Sequence, residues 1–294
     1  MNLQSRRLSW QEADPTQLPT MDDLPSEDPQ ESGLPDEFHG LQPNLLSMTL
    51  ALTQYSNYQC FHGFDLNIYY EPNRPRWHKR PDWFLVVGGP RLYKGKRSRA
   101  SYVMWDEKVA PIVILEFLFP GTEADDLGPF ADRPKLRKPG QPPRKFQVYE
   151  QILQVPNYIV FDEETGRLWF FRLQQGRYQP QAIAPSNPQV WIPELEMGLG
   201  IWYGNFQGLT QDWLRWCDRQ GHFLPTETEA ERAEKERERA EKERERNQRE
   251  AIEQQMRQAV MNLLQMGLLV EQVAIALSLS PEAVQAIQQD SLDA

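Results

Sequence analysis

Three side chains have the type and the setting to do chemistry: Asp82, Glu116 and Lys145. Glu116 stands in the middle of IVILEFLFP (112–120), a run whose other members are apolar. Bounded by Pro111 and by Pro120-Gly121, such a run reads as a strand covered on both faces, where an isolated carboxylate is costly to desolvate. Asp82 follows Pro81 and opens WFLVV; taken alone it reads as well as a turn aspartate at a strand boundary. If the two strands are neighbours the carboxylates meet, and two hard oxygen ligands plus a substrate phosphate are the usual way to hold Mg²⁺. A bound cation would relieve the desolvation of Glu116. Lys145 falls in the first turn of KFQVYEQILQV, where a cation opposes the helix macrodipole by ~0.3–1 kcal/mol. It lies four residues before Tyr149 on the inward stripe. By itself it reads as a lysine whose stem snorkels over the core; beside the two carboxylates it becomes the third candidate.

The chain has 294 residues and a formal net charge of −10, which favours solubility and argues against a general nucleic-acid binder. The basic residues are nevertheless clustered. Arg74 to Arg99 holds nine of them with Asp82 as the lone acid, and Arg133 to Lys145 holds six with no acid. The first cluster includes Arg91, Lys94, Lys96, Arg97 and Arg99. Proline-rich loops are often charged for solvation alone; two clusters bracketing the same strands raise the phosphate-binding reading. Cys60, Cys217 and the four scattered histidines make no metal or redox spacing, and no phosphate loop or nucleophile elbow is present. With two unpaired-looking cysteines a reduced cytoplasm is the simplest setting, and no apolar run approaches the ~20 residues of a membrane span.

The elements that must position these residues follow from periodicity. Residues 1–38 are polar and acidic and read as disordered, with Trp10 as a docking point. A helix is predicted over 42–56, strands over 64–70, 82–89 and 111–119, and a helix over 145–155 ending at Pro156. Strands at 158–162, 168–173 and YQPQAI, joined by EETGR and QQGR, read as an antiparallel meander. The tryptophan-rich stretch 191–224 closes a layered α/β (α+β) domain over 39–224, with a mixed central sheet flanked by helices. A charged helical spacer or coiled coil (225–257) follows, with AEKERER twice, and then a small helix-turn-helix-like tail (258–294). That tail lacks the basic face of a DNA reader and suits protein contact or dimerisation.

The ordered set KRPDWFLVV, PIVILEFLFPGTEADD and KFQVYEQILQVPNYIVFD resembles the PD-(D/E)XK nuclease superfamily. More narrowly it resembles the restriction endonuclease-like family especially abundant in cyanobacteria, over roughly residues 35–224. The resemblance implies a restriction-endonuclease-like fold, Asp82 and Glu116 as metal ligands, and Lys145 as the catalytic lysine. The superfamily lysine usually stands two residues after the glutamate, where this chain has Leu118; lysine on the following helix is typical of this branch. Phe119 replaces a frequent serine, Gln141 replaces an aspartate common four residues before the lysine, and 121–144 is a proline-rich insertion. The superfamily's first helix often adds an acidic group, for which Glu37 is the candidate, and Tyr149 is expected to pack rather than react. The implied function is metal-dependent endonucleolytic hydrolysis of DNA with Mg²⁺ (Mn²⁺ as substitute). DNA is then the partner, and a homodimer through the core or the C-terminal helices is a second one. The alternative is a catalytically degenerate nuclease fold serving as a nucleic-acid-binding or assembly module.

Overall fold

The computed structural model describes residues 9–24, 36–132 and 140–290. The helices are α1 (Ser9–Glu12), α2 (Glu37–Thr49), α3 (Met104–Glu107), α4 (Glu123–Asp126), α5 (Lys145–Gln147, running into a π turn at Val148–Ile152), α6 (Glu227–Gln265), α7 (Val270–Leu277) and α8 (Pro281–Asp290). The strands are β1 (Cys60–Gly63), β2 (Ile68–Tyr69), β3 (His78–Lys79), β4 (Trp83–Val87), β5 (Tyr102–Val103), β6 (Val113–Phe117), β7 (Asn157–Asp162), β8 (Arg167–Gln174), β9 (Arg177–Pro180), β10 (Gln189–Ile192), β11 (Met197–Phe206) and β12 (Leu209–Cys217). Residues up to Thr226 form one compact unit and those from Glu227 a second.

The first unit is built on a mixed six-stranded sheet in the order β1-β4-β6-β7-β8-β9. β6 is antiparallel to β4 and parallel to β7. Both faces are covered, which is why β6 is an almost unbroken apolar run. Ile114, Tyr158, Val160 and Phe171 face one core with Trp105, Phe146 and Tyr149. Val113, Leu115, Ile159 and Phe170 face another with Leu45 and Leu46 of α2 and Trp213 and Trp216 of β12. β7, β8 and β9 form the predicted meander, and β10-β11-β12 is a separate antiparallel sheet within the tryptophan-rich stretch.

Several predicted segments differ. The first helix runs from Glu37 to Thr49 rather than 42–56, because Asp36 caps it by accepting a hydrogen bond from the His39 N–H and fixes its start upstream. Of the strand predicted over 64–70, only Ile68–Tyr69 pairs, in a small sheet β3-β2-β5; Cys60–Gly63 takes the edge of the main sheet instead. Residues 9–24, predicted as disordered, are packed against the core. Trp10 is 3% exposed, its indole N–H donates to the Ile152 carbonyl, Lys108 donates to the carbonyls of Trp10 and Ala13, and Trp105 donates to Pro19. Trp10, Met21 and Leu24 supply the apolar area that composition averaging conceals.

In the second unit the charged repeat and the segment after it form one helix, α6, with no break at 257, since good helix formers continue to Gly267 (φ +90°). Residues 231–250 are exposed throughout. Val260, Val273, Ala274 and Val284 gather α6, α7 and α8 into a small cluster, and Ser280 caps α8 through the Ala283 N–H. Among the described residues no helix is long and apolar enough to cross a membrane.

The basic segment after β4 is tied down at the far end of that strand from Asp82. At about 3.4 Å per residue, Gly88 is roughly 20 Å along the strand from Asp82. Gly88 and Arg91 donate backbone hydrogen bonds to Gln59 and Tyr58 there. Arg99, predicted to grip phosphate, is instead 1% exposed in its side chain and forms a two-point ion pair with Glu107 at 2.6 and 2.9 Å. It also donates to the carbonyls of Pro90 and Arg91. Breaking a buried pair by removing one partner costs about 3–5 kcal/mol. Arg99→Ala should therefore lower the free energy of chemical unfolding by that order, whereas Lys96→Ala should leave it within about 0.5 kcal/mol. Equal stabilities of the two variants would return Arg99 to the surface set.

Candidate active site

The register places Trp83 opposite Leu115, so the next pair outward is Asp82 and Glu116. Asp82 is tied to the backbone of β6. Its carboxylate accepts from the Phe117 N–H at 2.5 Å, and its own N–H points at Glu116 Oε2 at 3.4 Å. Glu116 is 0% exposed. Lys145 Nζ donates to its Oε2 at 2.8 Å and the Tyr149 hydroxyl to its Oε1 at 2.6 Å. Strand alternation turns Glu116 to the side of α5, and residues four apart on a helix face the same way; together these bring Lys145 and Tyr149 onto one carboxylate. The three residues predicted from sequence thus converge from β4, β6 and α5.

The placement of α5 has local causes. Gly128 has φ +55°, and a Cβ there would lie 2.7 Å from the Phe146 ring, so the chain before α5 packs flush on Phe146 only with glycine. Arg144 donates to the carbonyl of Ala124, tying α5 to α4. At the other end the π turn closes with Leu153 N–H to Val148, and buried Glu150 accepts from the Tyr178 N–H and from Arg177 of β9. Helices widened in this way recur at functional sites.

Two further groups enter the site. Asp126, on α4, is 1% exposed and its Oδ1 lies 3.7 Å from Lys145 Nζ; the Tyr158 hydroxyl holds its backbone carbonyl at 2.8 Å. The residue of α2 that reaches the site is His39 and not Glu37, which is exposed. His39 directs Nδ1 at Asp36 (2.7 Å) and Nε2 at the Phe117 carbonyl (3.3 Å). Tyr149 packs, as predicted, and also fixes the Glu116 rotamer.

Burial pushes the Glu116 carboxyl up to about 8, against the pull of Lys145 and with the repulsion of Asp82. Burial likewise lifts Asp126 to about 7, again opposed by Lys145 and reinforced by Glu116. Asp82 is raised by burial, with Lys145 and the Phe117 N–H opposing. Burial works against the charge of Lys145, yet Glu116, Asp126 and Asp82 outweigh it and hold the amine well above the ordinary lysine range. The side chain of Lys145 keeps 21% exposure, whereas those of Glu116 and Asp126 keep almost none.

Among the described residues no group of three or more His, Cys, Asp or Glu is arranged as a metal cage. Mg²⁺ does not require one, since it commonly takes one or two carboxylates and keeps several waters. The donor set fits that mode. Asp82 and Glu116 offer hard carboxylate oxygens from facing positions of neighbouring strands, three carboxyl groups surround one lysine, and Asp126 Oδ1 is buried without a hydrogen-bond partner. An added divalent charge would balance the excess.

Residues 24–210 match the family described as "Uma2: Putative restriction endonuclease". A crystal structure described as "a putative nuclease belonging to DUF820 from Anabaena variabilis ATCC 29413" is similar at 13% identity, over 60% of this chain and 90% of that one, with a TM-score of 0.38. No curated protein matches the sequence. The family match spans well over half of the 294 residues, and the chain therefore belongs to the Uma2 family of restriction-endonuclease-like proteins.

Proposed function

We propose that this protein is an endonuclease that hydrolyses phosphodiester bonds in DNA with Mg²⁺ held by Asp82 and Glu116. The observation that carries the reading is the fully buried Glu116, clasped by Lys145 at 2.8 Å and lying 3.4 Å from the Asp82 N–H. A strand carboxylate desolvated to this degree is a poor structural choice and a good metal ligand.

When bound, Mg²⁺ would polarise the scissile phosphate and lower the pKa of a coordinated water. The chain's own residues do the rest. Lys145, kept charged by its three carboxylates, reaches out to orient the phosphate and to stabilise the charge that develops on its oxygens. Tyr149 locks Glu116 in one rotamer, and Asp126 supplies a second anchor for the Lys145 amine. The exposed Arg91, Lys94, Lys96 and Arg97 hold backbone phosphate away from the cut. Roughly 20 Å along β4 corresponds to about six base pairs at 3.4 Å each. Lys94 lies 3.8 Å from the half-buried Asp106, a long contact, and Arg97 pairs with the exposed Asp22; an exposed pair like the second contributes little and yields readily to phosphate. Of the second basic cluster, Arg133 to Lys138 lie outside the described residues.

Incubated with supercoiled plasmid, the purified protein should nick it in Mg²⁺ or Mn²⁺ and stop when EDTA removes the metal. DNA binding that persists in EDTA, with no nicking under any divalent cation, would instead support the degenerate nucleic-acid-binding module.

A further inference from the structure

Next to the catalytic cluster lies a cleft of about 1070 Å³. It opens where β6 and β7 end side by side, with the Leu118 N–H bonded to the Phe161 carbonyl. α4, a single turn, forms part of its wall with Glu123 and Ala124, while Asp126 of the same turn meets Lys145. Two aromatic residues line the cleft. Trp169 is half-buried, Arg167 (two residues back on the same face of β8) holds its guanidinium 4.4 Å from the Trp169 ring centroid, and Phe130 is 42% exposed. Glu123, Asp132 and Asp162 line the same space.

We propose that this cleft takes one unpaired nucleobase of the substrate, stacked on the Arg167–Trp169 pair, so that the enzyme engages single-stranded or locally opened DNA. The inference rests on the nuclease reading and names its substrate class. Nucleobases stack on aromatic rings and on guanidinium planes alike, and a guanidinium over an indole supplies both surfaces. Three carboxylates against one guanidinium repel a phosphate backbone, which disfavours a duplex running through the cleft. Their oxygens can accept from the ring N–H and the Watson–Crick-edge amino proton, which pairing hides and an unpaired base leaves open. The short α4 sets the cleft one helical turn from Lys145, which matches a base in the cleft with its own phosphate at the metal ligands.

The test is binding of the full-length chain in EDTA to a labelled 12-nucleotide single strand and to the same sequence as a blunt duplex. Trp169→Ala should weaken single-strand binding about 10-fold, within the range for loss of one stacked base, and leave the duplex within about twofold. Trp169→Phe should restore most of the loss. Arg167→Ala, at an exposed position, should act in the same direction and keeps the test decisive if Trp169→Ala does not fold. Equal loss on both probes, or none on either, overturns the inference. A wild-type protein that nicks plasmid without any dependence on Trp169 or Arg167 leaves the nuclease reading standing and removes only the cleft. A wild type that neither binds nor nicks removes both.

Discussion

Lys145→Met is expected to lower the rate of DNA nicking at least about 100-fold, the scale of losing one preorganised charge donor at a developing oxyanion. The same variant should be destabilised most at alkaline pH. Methionine fills the volume of the stem but leaves Glu116, Asp126 and Asp82 without the lysine that Glu116 touches at 2.8 Å. Removing one partner of a buried pair costs about 3–5 kcal/mol while the carboxyls are ionised. Glu116 and Asp126 hold their protons to about 8 and about 7 even with Lys145 present, and without it they hold them higher still. The penalty should therefore shrink as the pH falls below 7 and the cluster becomes neutral. Lys145→Arg separates the two effects. It keeps a cation and should recover part of the stability at pH 8.5, yet a planar fork cannot place a point charge where the ammonium sat, so nicking should remain low. Wild-type nicking in Lys145→Met would remove this residue from the catalytic set, and a pH-independent destabilisation would mean that the carboxylates are not what it neutralises.

The candidate site is legible because one of its members breaks a local pattern: Glu116 interrupts an apolar strand. Asp82, behind a proline at the start of a strand, and Lys145, a cation in the first turn of a helix, are ordinary alone and gain meaning only beside it. Asp126 breaks no such pattern. It stands in GTEADD, a stretch with loop composition, and only tertiary ties make it a site residue: Arg144 to the Ala124 carbonyl and Tyr158 to its own. His39 was hidden by helix phase. A helix starting at 42 leaves it outside, but with Asp36 as cap, Phe38, Gln42, Leu45, Leu46 and Thr49 turn inward and Glu37 turns to solvent. Charge counting placed Arg99 on the binding face, because Glu107, eight residues on, becomes its partner only once the loop has folded. Residues 9–24 show the same limit from the opposite side. Their polar average is real, and three anchors, Trp10, Met21 and Leu24, are buried all the same.

Glu116→Gln is expected to remove nicking to a similar extent, at least about 100-fold, and to flatten the dependence of stability on pH. The carboxyl of Glu116 sits at about 8 in the folded chain, against an ordinary value of 4.5. Between those two values the folded protein holds a proton that the unfolded chain has released, so stability falls as pH rises. The contribution of the neutral form is complete below about 4.5 and is lost as pH passes through about 8. Metal-free wild type should accordingly melt at lower temperature at pH 8.5 than at pH 6. Glutamine fixes the side chain in its neutral shape and still accepts from Tyr149, so the variant should show a shallower slope; Asp126 and Asp82 supply what remains. A divalent cation competes for the same oxygens as the proton. Mg²⁺ at a concentration about 100 times its dissociation constant at pH 8.5 should stabilise the folded wild type by about 2.7 kcal/mol, and the same concentration should gain less at pH 6, where the proton must first be displaced. In Glu116→Gln the gain should largely disappear at both pH values. Differential scanning calorimetry at the two pH values, with and without Mg²⁺, reads all four states independently of catalysis. If Mg²⁺ raises the melting temperature of the variant as much as that of wild type, Glu116 is not a metal ligand. If the pH slope is unchanged by the substitution, the buried carboxyl is not the group that titrates.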